Sequence, residues 1–294
     1  MKPSDFIHPE DVAALRQLES IPGFTAFTKK LMSISIEQQL YGVNLASSIR
    51  LSEKQLPHIY RHLPPICERM GIAEPEFYLK MSPIPNAWTL GDTRIYITVT
   101  SALLEMMNDE ELDAILAHEC GHILCRHNLY HTMVYWIRDR FEQQGLLKEK
   151  RVKSAVEIAL LYWRRKSELS ADRAASIVTS PEAVVSTMAR LSGGPQSITS
   201  QIDFREWAAQ ANEYEKLKNS GMWNKALQFS AIAEMSHPFA AVRVREVLKW
   251  SESEQYKMIM KGLHQLKAPK GVCPHCGSAV EKEWKFCRTC GHGL

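Results

Sequence analysis

His118-Glu119-Cys120-Gly121-His122 is an H-E-x-x-H run inside a stretch, from Asn108 onward, whose apolar spacing predicts an amphipathic helix. Successive residues on a helix turn by about 100°, so two histidines four apart lie about 40° from each other and their rings reach one point in space. Two imidazoles converging on one point can share a metal ion, and a glutamate between them is placed to take a proton from a metal-bound water. The chemistry this spacing serves is zinc-assisted hydrolysis, with His118 and His122 as ligands and Glu119 as general base.

A hydrolytic zinc takes three protein ligands and leaves the fourth position for water. The third is expected at Glu168, within Arg164-Arg165-Lys166-Ser167-Glu168-Leu169-Ser170-Ala171-Asp172-Arg173, where Glu168 and Asp172 stand four apart on one helix face. Glu168 would bind the metal, and Asp172 would accept the spare ring N–H of a ligating histidine, fixing its tautomer and orientation. A histidine soon after the motif is the rival third ligand. His127 and His131 fall about 180° around a continuing helix from His118 and His122 respectively, which keeps both from that metal. They are expected at the surface or in the layer behind the ligands. Cys120 points about 160° away from the metal-facing side.

The tail carries a second pattern of a different kind: Cys273-Pro274-His275-Cys276-Gly277, then Cys287-Arg288-Thr289-Cys290-Gly291. Four thiolates from two C-x-x-C knuckles close a tetrahedral shell with no open position, so Cys273, Cys276, Cys287 and Cys290 are expected to hold a structural zinc. A segment of roughly 25 residues cannot bury a core unaided, and the metal would supply its folding energy. Lys282, Trp284, Lys285 and Arg288 either form a contact surface for a protein or nucleic-acid partner or, for Trp284, pack the knuckles together.

These sites must be positioned by a chain of 294 residues, 45% hydrophobic, enough for one large or two modest domains. The expected division is an N-terminal helical region over 1–69, a catalytic domain over 70–266 and a zinc ribbon over 267–294. Residues 9–70 read as helices broken at Pro22-Gly23. Glu76–Lys80 and Arg94–Thr100 read as strands, and Pro83–Asp92 reads as a short edge strand turning at Gly91-Asp92. Asn108 and Glu111 form a capping box for the motif helix, which should run some way past His122. Asp139–Arg151 reads as a polar connection to the helix carrying Glu168, Ser192–Pro195 as a break, 203–261 as helical again, and Ala268–Gly271 as a linker. The fold class is α+β, mostly helical, with a small sheet.

A net charge of +3, mixed in sign along the chain, is too mild to argue for a nucleic-acid partner, and none is expected for the molecule as a whole. The most apolar helical stretch, Ala155–Trp163, contains Glu157 and ends at Arg164-Arg165-Lys166, short of the roughly 18 to 20 apolar residues a membrane span needs. Met1–Asp5 does not read as a signal peptide. Cys67, Cys120 and Cys125 are scattered, as in a reducing compartment. A soluble cytoplasmic protein is expected, with peripheral membrane association left open.

With the motifs in place, the chain resembles the HtpX and CAAX prenyl protease family of zinc metallopeptidases, in its soluble bacterial branch, over about residues 70 to 250. The resemblance is carried by Pro85-Asn86-Ala87-Trp88-Thr89, His118–His122, Glu168 with Asp172, and Ser236-His237-Pro238 followed by Arg243. It implies a gluzincin-type peptidase domain in which Asn86 and Ala87 lie on a sheet edge that pairs with a substrate strand. It also implies His237 and Arg243 near the zinc, His237 donating to the oxyanion with Arg243 holding its position or charge. From the residues alone, Ser236 caps a helix begun by Pro238, and Arg243 pairs with a nearby carboxylate. The membrane spans of other members are missing, and the ribbon is added.

The function expected is hydrolysis of peptide bonds in a protein or peptide substrate by a zinc metallopeptidase, an endopeptidase, with Glu119 as base and one catalytic and one structural zinc. The alternative is a latent or non-catalytic adaptor whose ribbon recruits a partner.

Overall fold

The computed structural model describes residues 1–24, 28, 36–135, 150–221 and 239–267, together with 273, 275, 276, 278, 280, 286 and 289–293 of the tail. The chain divides into two units, Met1–Glu252 and Ser253–Leu294. The connections expected at 139–151 and 268–271 fall wholly or mostly outside the described residues.

In the first unit, α1 (Pro9–Glu19) opens on a proline, and His8 Nδ1 accepts from the Glu10 N–H at 3.1 Å. Then come α2 (Ile36–Ser47), β1 (Ile49–Arg50), α3 (Pro57–Tyr60) and α4 (Leu63–Met70). Gly71 ends α4 in the left-handed conformation, and Leu63, Ile66 and Met70 form its buried face. β1 was not anticipated, because residues 9–70 read as helical. Two residues carry too little pattern to announce a strand, and pairing with β2 defines this one.

The sheet comprises β1, β2 (Glu76–Lys80), β3 (Ala87–Leu90) and β4 (Tyr96–Thr100) in the order β1-β2-β4-β3. β2 and β4 are parallel, and the two outer pairings are antiparallel. β3 is thus an edge strand, with Ala87 opposite Val99 and Leu90 opposite Tyr96. The turn after it requires glycine: Gly91 has φ +99°, and a Cβ there would sit 2.0 Å from the Arg94 carbonyl oxygen.

The short α5 (Ser101–Met106) leads into the motif helix α6 (Asp109–Leu124). Asn108 Oδ1 accepts from the Glu111 N–H at 2.9 Å, and Glu111 Oε2 accepts from the Asn108 N–H at 3.1 Å, completing the capping box. α7 (Lys150–Val178) is the central helix, packing against α1, α6, α8 (Pro181–Gly193) and α11 (Ala240–Glu252). The short α9 (Gln196–Thr199) and α10 (Phe204–Asn219), capped by Asp203, lie between α8 and α11 in sequence. Leu18 of α1, Tyr78 and Tyr96 of the sheet, and Leu160 and Trp163 of α7 share one core. The second unit comprises α12 (Glu254–Lys267) and the cysteine tail.

Where α6 meets α7, Gly121 faces Ala171 and Ala174. A Cβ at 121 would lie 2.9 Å from the Ala174 Cβ and 3.2 Å from the Ala171 Cα, closer than either atom can yield. Gly121→Ala is therefore expected to cost about 1–3 kcal/mol by overpacking, despite the higher helix propensity of alanine, and to lower the midpoint of urea unfolding.

Candidate metal centre

The sequence pattern places His118 and His122 one turn apart on α6, and the Gly121 contact brings α7 close enough for Glu168 to join them. His118 Nε2 and His122 Nε2 are 3.1 Å apart, and each lies 3.5 Å from an oxygen of Glu168. Donors bound at about 2.05 Å to a tetrahedral ion stand about 3.3 Å from one another, so the two ring nitrogens and the Glu168 carboxylate fit a single zinc. All three side chains are buried or nearly so.

Both rings are turned by partners on their other nitrogen. His118 Nδ1 lies 2.9 Å from Asp172 Oδ1, the pairing expected from the sequence. Arg243 on α11 then donates to both oxygens of Asp172, at 2.8 and 2.6 Å, and its Nη1 lies 3.0 Å from Glu168 Oε2. Of the two readings of Arg243, the described contacts are those of a carboxylate clamp. Burial would raise the Asp172 pKa, but the Arg243 charge beside it holds it below the usual carboxylate range. The Arg243 pKa rises in turn, because its two carboxylates outweigh burial. Burial also opposes a charge on His118, yet Asp172 and Glu168 outweigh it and push that pKa up to about 10. Burial, reinforced by the neighbouring His118, pushes His122 down to about 4. The two rings thus differ: the surroundings favour a second proton on His118 and disfavour one on His122, and a metal bound at Nε2 competes with such a proton.

Charge also points to a cation. Glu119, Glu168 and Asp172 are buried carboxylates facing one guanidinium, so with neutral histidines the site lacks positive charge that a dication supplies.

Glu119 is held by a residue the sequence reading did not assign. Thr89 Oγ1 on β3 donates to Glu119 Oε2 at 2.6 Å. A signal existed, since strand alternation puts Thr89 on the same face as Ala87. Asn86 and Ala87 line a cleft with His118 and Glu119, whose apolar wall includes Leu103, Ile115, Val184 and Met188. Glu111, the capping-box acid, accepts from Ser186 at 2.7 Å and pairs with Arg190 at 3.3 Å, tying α6 to the α8 side of that cleft.

Of the two places expected for His127 and His131, the structure has the layer behind the ligands, though not on a continuing helix: α6 stops at Leu124, Arg126 adopts φ +59°, and both histidines turn inward and are buried. Neither joins the ligand cluster. His127 Nδ1 lies 3.0 Å from His122 Nδ1, and the His131 ring packs edge-on against His122 while its Nε2 meets Ser167 Oγ at 3.1 Å. Cys120 faces Cys67 of α4, with the sulfurs 3.9 Å apart. Ser236, His237 and Pro238 lie outside the described residues.

In the tail, Cys273, Cys276 and Cys290 form a second potential metal cluster, and the sulfurs of Cys273 and Cys290 are 3.7 Å apart. Thiolates bound at about 2.3 Å to a tetrahedral zinc stand about 3.8 Å apart, so that pair fits. Cys287 lies outside the described residues. A bridge between Phe286 and Gly293 brings the chain back on itself beside the knuckle.

Two imidazoles and a carboxylate from adjoining helices, beside a buried glutamate in a cleft, define a mononuclear metal hydrolase by class. Residues 53–251 match the family described as Peptidase family M48, and residues 272–294 match a zinc-ribbon domain. Plastoglobule-localized metallopeptidase 48 of Arabidopsis thaliana is 33% identical over 261 residues, covering 87% of this chain and 75% of that protein. A protease HtpX homolog of Pelotomaculum thermopropionicum is 33% identical over 93 residues, 31% of this chain and 33% of its own. Another, from Caldanaerobacter subterraneus, is 42% identical over 66 residues, 22% of each chain. No solved structure matches. The chain belongs to peptidase family M48, as an HtpX-like zinc metallopeptidase with a C-terminal zinc ribbon. No helix among the described residues is long and apolar enough to cross a membrane.

Removing the clamp exposes its role. In metal-free protein, Arg243→Met leaves Glu168 and Asp172 buried without their cation and is expected to cost about 3–5 kcal/mol, read as a lower urea midpoint. An unchanged midpoint would show that these carboxylates are satisfied without Arg243.

Proposed function

We propose that the chain is a zinc endopeptidase in which His118, His122 and Glu168 hold the catalytic ion and Glu119 is the general base. When bound, the ion supplies Lewis acidity, lowering the pKa of a water towards about 7 and polarising the substrate carbonyl. Glu119 takes a proton from that water and delivers it to the leaving amine nitrogen, while Thr89 holds one carboxylate oxygen in place. Asp172 keeps the His118 proton on Nδ1 and so leaves Nε2 bare, and Arg243 is the positioning residue that holds Asp172 and Glu168. His237 is assigned as donor to the carbonyl oxygen as negative charge develops there.

The substrate class is a protein or peptide in extended form. It adds to the β3 edge by backbone pairing at Ala87, not at Asn86, whose N–H and carbonyl are both bonded to Thr100 of β4 and which lines the cleft instead. It places an apolar side chain, next to the scissile bond, against Leu103, Ile115 and Met188. Among the described residues lining the cleft, Asp172 and Arg243 are committed to each other, and His118 and Glu119 to the metal chemistry. Cleavage within a chain, rather than trimming from an end, belongs to the same reading. Cys273, Cys276, Cys287 and Cys290 hold a second, structural zinc, and the ribbon offers a surface for a protein partner. A cytoplasmic location belongs to the same reading.

The observation that carries it is Glu119, fixed by Thr89, on the same cleft wall as His118 and the strand-edge residues Asn86 and Ala87. Elemental analysis is expected to give two zinc ions per chain, falling to one when His118→Ala and His122→Ala are combined. Glu119→Gln is expected to keep both ions and lose about 10²–10⁴-fold in hydrolysis of unfolded casein. Retained hydrolysis in Glu119→Gln, or one zinc in both wild type and double variant, would overturn the reading.

A further inference from the structure

The two ligand histidines differ in what stands behind them. His118 meets a carboxylate directly, whereas His122 meets another imidazole: its Nδ1 lies 3.0 Å from His127 Nδ1, and His127 Nε2 lies 3.0 Å from Asp11 Oδ2. Asp11 is on α1, is 1% exposed and is aimed by two further donors, Trp163 Nε1 to Oδ1 at 3.1 Å and Ser170 Oγ to Oδ2 at 2.6 Å. Ser170 in turn accepts from the His8 N–H at 3.0 Å, so Asp11 is locked to the helix that carries Glu168.

With both rings neutral, only one direction of hydrogen bonding satisfies this chain of atoms. Two ring nitrogens 3.0 Å apart need one donor and one acceptor. If His122 Nε2 is bare, as a ligand must be, the His122 proton is on Nδ1 and is donated to His127 Nδ1. The His127 proton is then on Nε2, where the Asp11 carboxylate accepts it. The reverse direction would put the His122 proton on Nε2, in the metal position, and set a bare His127 nitrogen against a carboxylate, acceptor facing acceptor.

We propose that Asp11, acting through His127, is a positioning residue for the metal site, fixing His122 in the tautomer and orientation that present Nε2 to the ion. The proposal rests on His122 being a ligand. The region matched to peptidase family M48 begins at residue 53, so Asp11 comes from a segment outside that match, and α1 is part of the metal site through a single buried carboxylate.

The relay makes the closer isostere the worse substitution. In Asp11→Asn the amide oxygen turns to Trp163, which can only donate, and the amide NH₂ turns to His127 Nε2, which must then be bare. The His127 proton moves to Nδ1 and drives the His122 proton onto Nε2, the ligand atom. Asp11→Ala imposes no such reversal, though it removes more packing. In full-length protein, competition with a zinc chelator is expected to rank zinc affinity at this site wild type above Asp11→Ala above Asp11→Asn, with the Asn variant about 10–100-fold weaker than wild type. Thermal unfolding of the same chelator-treated proteins is expected to rank stability wild type above Asn above Ala. Zinc affinity that follows the stability order, or is unchanged in both variants, would overturn the relay. His122→Ala separates this from failure of the ligand assignment: equal zinc uptake by wild type and His122→Ala would overturn the assignment, and the relay with it.

Discussion

Three ligand atoms from two helices can meet at one point only if the helices touch, and in this fold the touching point is Gly121. With no side chain there, α7 comes close enough for Ala171 and Ala174 to lie against the backbone of α6. The proposed ligands sit immediately around that contact, His118 and His122 on one helix and Glu168 on the other, with Asp172 one turn further along behind His118. A wider separation would leave Glu168 short of both rings, since its oxygens are already 3.5 Å from each Nε2. The glycine of the motif thus sets the distance at which the other residues act.

Close packing has an electrostatic cost, which the charge arrangement around the contact offsets. The carboxylates of Glu119, Glu168 and Asp172 are all withdrawn from water, and one guanidinium, Arg243, serves the last two. Burial works against the charge of Asp172, Arg243 restores it, and only an ionised Asp172 is acceptor-only towards His118. The remaining deficit of positive charge is what makes the site select a dication.

Much of the site was legible because its parts lie on local helical periods. His118 with His122, and Glu168 with Asp172, are pairs four residues apart, and that spacing alone says which face they share. The Asn108–Glu111 capping box and the β3 edge were legible for the same reason: turns, caps and strand alternation are properties of neighbouring residues. What the sequence hid was decided by contacts at long separation. Asp11 looks like an ordinary acid in the first turn of a helix until His127 is seen against it. The end of α6 at Leu124 is marked by no glycine or proline, and the reading of His127 and His131 as surface or rear-layer residues rested on a helix that continues. β1 exists through its pairing with β2, which no local pattern in Ile49-Arg50 announces.

The metal site therefore lies where five elements of the first unit meet. α1 reaches it through Asp11, β3 through Thr89, α6 and α7 through the ligands, and α11 through Arg243. Each of these contacts is buried and charged or hydrogen-bonded, so an element that undocks leaves an unpaired group behind. A ligand that binds only the assembled arrangement stabilises all of it, by an amount that grows with the logarithm of its concentration over its dissociation constant. Metal occupancy and docking of the N-terminal helix are then two readings of one equilibrium: whatever loosens α1 lowers metal affinity, and whatever fills the site holds α1 down.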